Sequence, residues 1–577
     1  MTEHKPITAA ADGIEQGKRL IRIEEDRGQS LAQRLANRLH LLTWRTPLHR
    51  MRLKGRFPLK LLAVPDDPIF GDAEAGAQLL QRRIVWRNEV IPLSELDFAR
   101  LDGSTGLKTY LHSFAWLRDL SSAATREQAA PVAEAIMRKW LDVHGEAVGG
   151  PAWSCDLWGQ RILYWTAHAP LILSSRDLVY RSAVLNGLAR GARHIEQSAD
   201  RVPAGLGRVA AWAGVIAAGL LIPGGDPRRI FGEAGLARAI ATGFFDEGGT
   251  ICRSPAQLLD AVALLALLRA AYDVRRQPVL PLIETTLARA VAALQGVTMG
   301  DGALASWQGG LPVPAARVAA VIEGSGVRAR PLRQAREWGY QRLAGGATIV
   351  TVDAAPPPVQ RLARGGCAST LAFEMSDAGH RLIVSCGGAR HNGATLPDAL
   401  AAALRTTAAH STLVLRDSNS TAIHADGSLG RGVGAVEIER QEVESGSRLE
   451  ASHDGYVRRF GLSHRRLLAL SVDGRELRGE DMLIPAGRRR SHAAPFAIRF
   501  HLGPAVEATL TADGQGALLR IDGGPLWQMR VKSAALAIEE SLWVDGGGRA
   551  HPTQQLVATA EAPAGGASVT WLLKRAG

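Results

Sequence analysis

The segment Cys367–Met375 (CASTLAFEM), followed shortly by Arg381–Gly387 (RLIVSCG), decides the fold of the C-terminal half of this chain. Each is a short apolar run, and a stretch containing aspartate and glycine separates the two. Runs of the same kind recur at Ala347–Val352, Ser411–Leu415, Leu467–Val472 and Phe496–Leu502. Several short strands with turns between them, and few helix candidates, predict a β-sandwich rather than an α/β sheet.

The preceding part of the chain has a helical pattern. Pro131–Trp140, Arg208–Leu221 and Pro255–Ala271 are rich in Ala and Leu, and their apolar residues recur at helical spacing. Ser254 and Pro255 supply an N-cap and a proline for the first helical position. We therefore predict an N-terminal extension (1–60), a helical domain (61–325) and a β domain (326–577), with a binding cleft between the last two.

The composition is that of a globular protein. The chain has 577 residues, of which 46% are hydrophobic and 21% charged, which excludes a disordered chain, a collagen-like fibre and a membrane bundle. The formal net charge is +12, and arginine supplies 60 of the 68 basic residues. Arginine suits carboxylates and sulfates, so an acidic polymer is an acceptable partner, although a coding bias toward Arg and Ala explains the composition equally well. No zinc-finger or RNA-binding signature indicates nucleic acid as a partner.

The sequence gives no sign of membrane insertion or of a disulfide framework. The longest apolar stretch, Val209–Ile222, is shorter than the ~20 residues that a spanning helix requires. The N-terminus lacks the apolar core of a signal peptide, so the sequence by itself predicts a cytoplasmic protein. Four cysteines are too few for a disulfide-stabilised fold.

The β half resembles the heparinase II/III family of polysaccharide lyases. Cys367–Met375 and Arg381–Gly387 are similar to a strand pair of that family, and Thr407–Leu413 (TAAHSTL) is similar to its A-H-N-T segment. Ser452–Tyr456 (SHDGY), followed by His464–Arg466 (HRR), resembles the H-D-G-Y and H-R-R pair that comes next.

The helical half carries three further similar segments: Trp116–Asp119 (WLRD), Trp153–Trp165 (WSCDLWGQRILYW) and Asp246–Pro255 (DEGGTICRSP). The resemblance implies a multidomain α+β fold, in which an incomplete α/α toroid precedes an antiparallel β-sandwich and an acidic polysaccharide or oligosaccharide binds in the cleft. It also implies a location in the periplasm or cell envelope, in conflict with the missing signal peptide.

The positions that carry the family's acid and base groups differ in this chain. The family's tyrosine falls on Gln257 and its nearby glutamate on Cys252. Its H-x-H-x-D motif falls on Gly365, Cys367 and Ser369. An amide cannot replace a phenol as a proton donor, so the usual mechanism does not transfer intact.

Other side chains are candidates for the missing roles. Tyr456 could act as the acid with His453 beside it, although a β-edge turn packed by its aromatic ring is an equally open interpretation. Arg161 could hold a carboxylate or form a helix-to-helix salt bridge, and His391 could act in a loop or be merely solvated. The predicted catalytic residues are Tyr456, His453, His391 and Arg161; the predicted substrate-binding residues are Arg208, Gln257 and Arg466.

Some family members bind zinc in the sandwich, and the resemblance implies Cys367, Cys386 and His410 as ligands here. In strand register, however, Ser385 rather than Cys386 corresponds to the family's aspartate, so this site would need a bulge. The alternative is buried thiols with a hydrogen-bonded His410. We expect Cys155 and Cys252 to be core residues, and the sequence indicates no other cofactor.

Two functions of different classes follow. The leading interpretation is a lyase that cleaves a uronate-containing polysaccharide by β-elimination. The alternative is a non-catalytic member that binds acidic glycans, and a hydrolase or structural protein on the same scaffold is a third possibility. The oligomeric state stays open.

Overall fold

The computed structural model of this protein describes residues 14, 17–22, 39, 43–44, 46–55, 58, 60–358, 365–388, 396–487 and 493–576. Most of the predicted N-terminal extension therefore lies outside the described residues. In the rest, a helical domain precedes two large antiparallel sheets, which confirms the predicted order of helical domain and β-sandwich. No helix in these ranges is long and apolar enough to cross a membrane.

Helices follow one another from residue 47 to residue 325, interrupted by one hairpin of strands β2 (Arg83–Trp86) and β3 (Glu89–Pro92). They are α1 (Pro47–Arg52), α2 (Ala73–Leu80), α3 (Thr105–Ser113), α4 (Trp116–Ala123), α5 (Arg126–His144), α6 (Cys155–Ala167), α7 (Ala169–Ile172), α8 (Leu178–Ser198), α9 (Leu206–Leu221), α10 (Asp226–Gly243), α11 (Pro255–Val274), α12 (Pro281–Gly296) and α13 (Ala315–Ser325).

Helix α9 lies at the centre of the helical domain because its Ala-rich sequence is apolar on every side. All residues from Val209 to Leu221 are buried, and α6, α10 and α11 pack around it. Its contact with α6 is so close that a Cβ atom at Gly159 would lie 2.0 Å from the carbonyl oxygen of Ala210. Only glycine fits there.

The start of α11 confirms the predicted N-cap and first-turn proline. Ser254 stands at the N-cap of α11 with an extended backbone, and Pro255 begins the helix as expected. The Ser254 hydroxyl makes no capping hydrogen bond, however, and it has no hydrogen-bond partner in the buried junction where it lies.

The β half contains two short helices, α14 (Asp398–Ala403) and α15 (Val457–Phe460). Its strands are β4 (Tyr340–Gly345), β5 (Thr348–Asp353), β6 (Phe373–Asp377), β7 (His380–Val384), β8 (Leu413–Leu415), β9 (Ala435–Val443), β10 (Gly446–His453), β11 (Leu462–Ser471), β12 (Glu476–Pro485), β13 (Ala494–Leu502), β14 (Val506–Leu510), β15 (Gly516–Ile521), β16 (Leu526–Lys532), β17 (Ala535–Val544), β18 (Ala550–Ala562) and β19 (Ala567–Arg575).

In the described residues, one sheet has nine strands in the order β1-β9-β10-β11-β12-β19-β16-β15-β14, where β1 is Gly17–Arg22. The other has eight, with β17-β18-β13-β7-β6-β5-β4 in line and β8 attached to β13. Alternate residues of β10, β11 and β12 are buried in the core between the sheets, whereas β6 and β8 are buried throughout. Phe373 stacks on Trp571, and Phe500 meets Trp571 edge to face.

Candidate functional site

The two domains meet along Ser306–Gly310 (SWQGG), a segment that connects α12 to α13. A Cβ atom at Gly310 would lie 3.3 Å from the Ser254 hydroxyl of the helical domain. A Cβ atom at Gly388 would lie only 2.3 Å from the carbonyl oxygen of Gly309. The glycines thus bring the backbones of both domains into contact at the base of the cleft.

Asp353, at the end of β5, is the centre of this junction and is fully buried. Its carboxylate accepts hydrogen bonds from Arg253 of the helical domain, from Gln308 Nε2 at 3.0 Å and from the Ser369 hydroxyl at 2.6 Å. Burial alone would lower the pKa of the Arg253 guanidinium, but the charge of Asp353 outweighs burial and the pKa is raised. A buried ion pair therefore joins the domains.

Three residues that bond to Asp353 have left-handed backbones. The φ angles are 56° for Arg253, 50° for Gln308 and 64° for Leu371, whose amide donates to the backbone oxygen of Asp353 at 2.7 Å. Such a conformation costs a non-glycine residue roughly 1–2 kcal/mol. The hydrogen bonds of the junction hold this strain in place.

The residues at the family's acid and base positions take part in the same network or border it. The Cys252 thiol donates to Gln257 Oε1 at 2.7 Å, and the Cys367 amide donates to Gln308 Oε1 at 3.0 Å. Ser369 bonds to Asp353 and Gln308. These positions carry neutral groups bonded to protein partners, and none of them is a phenol, an imidazole or a carboxylate.

The structure corrects the predicted catalytic role of Tyr456 and His453. Tyr456 is 1% exposed, and its hydroxyl donates to the carbonyl oxygen of Leu413 at 3.0 Å. His453 is 3% exposed, its Nδ1 accepts from the Gly455 amide and its Nε2 lies 3.3 Å from Nδ1 of His464. Burial raises the pKa of Tyr456 and lowers that of His453. Both side chains are therefore enclosed by other residues of the sandwich.

Arg466 is likewise a core residue and not a substrate-binding one. Its guanidinium is buried and holds Asp481, with Nε 2.7 Å from Oδ1. Its Nη1 donates to the carbonyl oxygens of Leu371 and Ser411. Asp481 also accepts from His464, and its pKa is far below the usual range because Arg466 and His464 outweigh burial. This network links the nine-stranded sheet to the segments that carry Ser369 and His410.

Arg161 is fully buried, which corrects its predicted role in holding a carboxylate. It donates two hydrogen bonds to the carbonyl oxygen of His112, at 2.8 and 2.6 Å, and one to Ala152. The guanidinium lies between the rings of Trp140 and Trp158, 4.3 Å from each centroid. The described residues give it no ion pair, so the salt-bridge alternative is wrong as well, and Arg161 stabilises the helical core.

Arg208 and Gln257 are partly exposed residues of the helical domain. Arg208, near the start of α9, donates to the carbonyl oxygen of Val202 at 2.6 Å. The last residue of α10 lies beside the residue that precedes α9, since a Cβ atom at Gly243 would be 3.5 Å from Cα of Gly205. Their predicted substrate-binding role stays a prediction. His391 lies outside the described residues.

The predicted zinc ligands do not form a site. Cys386 Sγ lies 3.4 Å from Nδ1 of His501, and Cys367 Sγ lies 3.6 Å from the carbonyl oxygen of Gly365. His410 is fully buried with no hydrogen-bond partner on either ring nitrogen. In the described part of the chain, no three His, Cys, Asp or Glu side chains come together as metal ligands. The residues present therefore do not fit a zinc ion.

Arg87, which the sequence analysis missed, lies where both domains approach. Burial lowers its pKa to about 10, and the nearby carboxylates of Asp260 in α11, Glu89 in β3 and Asp545 after β17 oppose that shift. Acidic groups of both domains therefore offset part of the effect of burial on this cation. No sequence motif marks it, because its surroundings arise only from the tertiary fold.

All six tyrosines are among the described residues, and Tyr164 alone is not fully buried. The Arg118 guanidinium lies 5.1 Å from the ring centroid of Tyr164 and forms a buried, bidentate ion pair with Asp67. Tyr164 is thus the most exposed of the six tyrosines.

Comparison with known proteins identifies the relatives of this chain. Residues 327–572 match the profile of the family described as "Heparinase II/III-like, C-terminal". "FtsZ-localized protein C" from Caulobacter vibrioides (strain NA1000 / CB15N) is 30% identical over 562 residues, which cover 92% of each chain. The chain belongs to the heparinase II/III-like family. The family resemblance found in the sequence is thus confirmed.

Solved structures of heparinase-type enzymes show the same fold as this heparinase II/III-like chain. A heparan sulfate lyase HepC mutant from Pedobacter heparinus is 13% identical, with 96% of this chain and 92% of that chain covered and a TM-score of 0.60. Heparinase III is 12% identical, with 96% and 93% covered and a TM-score of 0.67. These matches confirm the predicted toroid followed by an antiparallel β-sandwich, and the helical domain is called the toroid below.

Proposed function

We propose that this heparinase II/III-like protein binds an acidic polysaccharide and does not cleave it. One observation carries the proposal: Cys252, Gln257, Cys367 and Ser369, at the family's acid and base positions, are neutral and bond to protein partners in the junction. The net charge of +12 supports an acidic ligand. The fold shared with a heparan sulfate lyase supports a sugar polymer.

The chemistry of β-elimination explains why these replacements matter. The enzyme must neutralise the uronate carboxylate, remove the C5 proton and protonate the leaving oxygen, which requires a cation, a base and an acid in contact with the sugar. Here Arg161, His453 and Tyr456 are buried. Burial lowers the pKa of Arg87, and the carboxylates of Asp260, Glu89 and Asp545 oppose that shift only in part. The described residues therefore offer no complete set of groups for the reaction.

Cleavage of a uronate polymer remains the competing prediction, and one assay separates the two. The purified full chain is incubated with heparan sulfate, alginate, glucuronan and hyaluronan, with and without zinc and a chelator, while absorbance of the unsaturated uronate is followed. We expect no rise with any polymer. A rise that is lost in Tyr164→Phe and kept in Tyr456→Phe would overturn the proposal and make Tyr164 the acid.

Binding is measured in parallel by titration calorimetry at two salt concentrations. We expect salt-sensitive binding of one polymer, because screening weakens contacts between exposed charges. Arg208→Ala should weaken polysaccharide binding several-fold. Arg520→Ala is the matched control, because Arg520 is an exposed arginine that pairs with Glu507 on β14 of the nine-stranded sheet. Equal weakening by both variants would show that net charge, and not the cleft, attracts the polymer.

A second candidate function is a role at the cell-division site in association with FtsZ. The observation in its favour is the 30% identity with "FtsZ-localized protein C", which extends over 92% of both chains. Co-sedimentation with polymerised FtsZ from the same organism tests it, with unpolymerised FtsZ as the control. Recovery of the chain only in the polymer pellet would support this function, and recovery in neither would exclude a direct contact with FtsZ polymers.

The compartment distinguishes these functions further. The cytoplasm and the cell envelope are both predictions from the sequence, and fractionation of cells that produce the tagged full chain decides between them. A polysaccharide ligand outside the cell requires the envelope fraction, whereas contact with FtsZ requires the cytoplasmic side.

A further inference from the structure

Ser385 and His410 lie side by side in the sandwich. The segments 384–386 and 409–411 run antiparallel: the Cys386 amide donates to the carbonyl oxygen of Ala409 at 2.9 Å, and the Ser411 hydroxyl donates to that of Val384 at 2.8 Å. Ser385 and His410 are the middle residues of the two segments. The side chains of Cys386 and Ala409 share one small apolar cluster, so those of Ser385 and His410 lie together on the opposite face.

Both side chains are fully buried and lack hydrogen-bond partners. The Ser385 hydroxyl and both ring nitrogens of His410 make no hydrogen bond to any group of the protein. The neutral form of an imidazole carries one donor and one acceptor, and the hydroxyl of Ser385 can act as either. Buried polar groups of native proteins are nearly always paired, which makes three such atoms in one place unusual.

The donor set is wrong for a metal ion. A serine hydroxyl stands where the family's zinc-binding members have a carboxylate, and hydroxyl is a poor neutral ligand beside Cys, His and Asp. Cys386 does not replace it, because its thiol points away toward Nδ1 of His501 and the Ser541 hydroxyl.

We infer that buried water, and no metal ion, satisfies the polar groups of Ser385 and His410 in this protein. An internal water needs two to four polar partners, and the Ser385 hydroxyl with the nearer ring nitrogen of His410 supplies two. The water takes over the part that a metal plays in relatives that bind zinc. This inference does not depend on the proposed function, since it concerns the interior of the sandwich and not the cleft.

Replacing Ser385 by aspartate tests the geometry. Asp at this position would place a carboxylate beside His410, with Cys367 as the third family position. The untagged full chain, Ser385→Asp and the control Ser306→Asp are analysed for bound zinc and for melting temperature with zinc or a chelator. Ser306 is a suitable control because it is another buried serine with an unpartnered hydroxyl.

For the natural sequence we expect less than a tenth of an equivalent of zinc and the same melting temperature with zinc or chelator. For Ser385→Asp we expect close to one equivalent of bound zinc and a melting temperature that zinc raises. For Ser306→Asp we expect no bound zinc and no change of melting temperature with zinc. If Ser385→Asp does not fold alone, refolding with and without zinc provides the same comparison. A crystal structure of the natural sequence should show water within hydrogen-bond distance of Ser385 and His410.

Three outcomes would overturn the inference. Stoichiometric zinc in the natural sequence that is lost in His410→Ala would show a metal site. A dry interior around His410 in the crystal structure would exclude the water. Failure of Ser385→Asp to take up zinc in the folded state would contradict the placement of the two side chains.

Discussion

The carboxylate of Asp353 in the sandwich and the guanidinium of Arg253 in the toroid form a buried ion pair across the domain junction. The exposed fractions of the two side chains are 0% and 3%. Arg253 also donates to the carbonyl oxygens of Trp338 and Pro356, so both partners have further hydrogen bonds that compensate for their burial.

Asp353→Asn should therefore destabilise the protein strongly. The substitution leaves a buried guanidinium without its counter-charge, which costs about 3–5 kcal/mol. Urea unfolding followed by circular dichroism measures the loss. Glu507→Gln, in the exposed pair with Arg520, is the control and should leave the midpoint unchanged. Equal midpoints for Asp353→Asn and the unmodified chain would show that the pair is not needed to hold the junction together.

Tyr456→Phe should act on stability alone. The hydroxyl donates to the carbonyl oxygen of Leu413 inside the core, and its removal costs about 1 kcal/mol. Polysaccharide binding measured by calorimetry should be the same as for the unmodified chain. A loss of binding without a loss of stability would place Tyr456 at the ligand and contradict its observed burial.

Stability should fall as the solution becomes acidic. Burial lowers the pKa values of His112, His410 and His501 to about 3, with the charge of Arg161 adding to the shift of His112. Their unfolded pKa is about 6.5, so below that pH the unfolded chain binds protons that the folded chain does not. Each histidine then contributes a loss of about 1.4 kcal/mol per pH unit until the pH approaches its folded pKa.

Glu374 acts in the opposite direction, because burial raises its pKa to about 7, and it offsets part of this loss between about pH 7 and 4.5. Urea midpoints between pH 7.5 and 4.5 give the net slope. His410→Gln should reduce the dependence of the unfolding free energy on pH by the contribution of one histidine, about 1.4 kcal/mol per pH unit. A slope that this variant leaves unchanged would mean that His410 is protonated in the folded protein.

Gly159→Ala should disrupt the contact between α6 and α9. The added Cβ atom would overlap the Ala210 carbonyl oxygen at 2.0 Å, and overpacking against rigid backbone costs about 3 kcal/mol or more. Gly565 is the matched control, because a Cβ atom there would meet nothing within 4 Å. Thermal unfolding of the two variants should therefore differ by many degrees, and similar melting temperatures would show that the helices can move apart at little cost.

The fold was predictable from the sequence because its signals are local. The helical spacing of Pro255–Ala271 and the short apolar runs after Gly339 indicate their own elements, and the order of the matched segments indicates the family. The hydrogen bonds at helix ends were less predictable, because the hydroxyl of Ser254 stands at the predicted N-cap position but makes no capping hydrogen bond.

The candidate site was predicted less well because burial depends on strand register. The segment with His453 and Tyr456 contains residue types suited to catalysis, yet β10 buries every second residue and places His453 on the same side as Leu449 and Ala451. The same alternation in β11 buries His464 and Arg466 with Leu468. Counting by two along these strands would have assigned the three polar residues to the core. Gln308 and Arg87 had no comparable signal, since tertiary contacts alone define their surroundings.

The pairing of β1 with β9 has a consequence for synthesis of the chain. Gly17–Arg22 pairs with residues 435–440, so the first strand leaves the ribosome long before its partner exists. At about 5–20 residues per second, it waits for roughly 20–80 s. An unpaired strand is exposed to aggregation during that time, and the charges of Lys18, Arg19 and Arg22 oppose it. The basic residues of this strand thus protect the nascent chain until β9 is made.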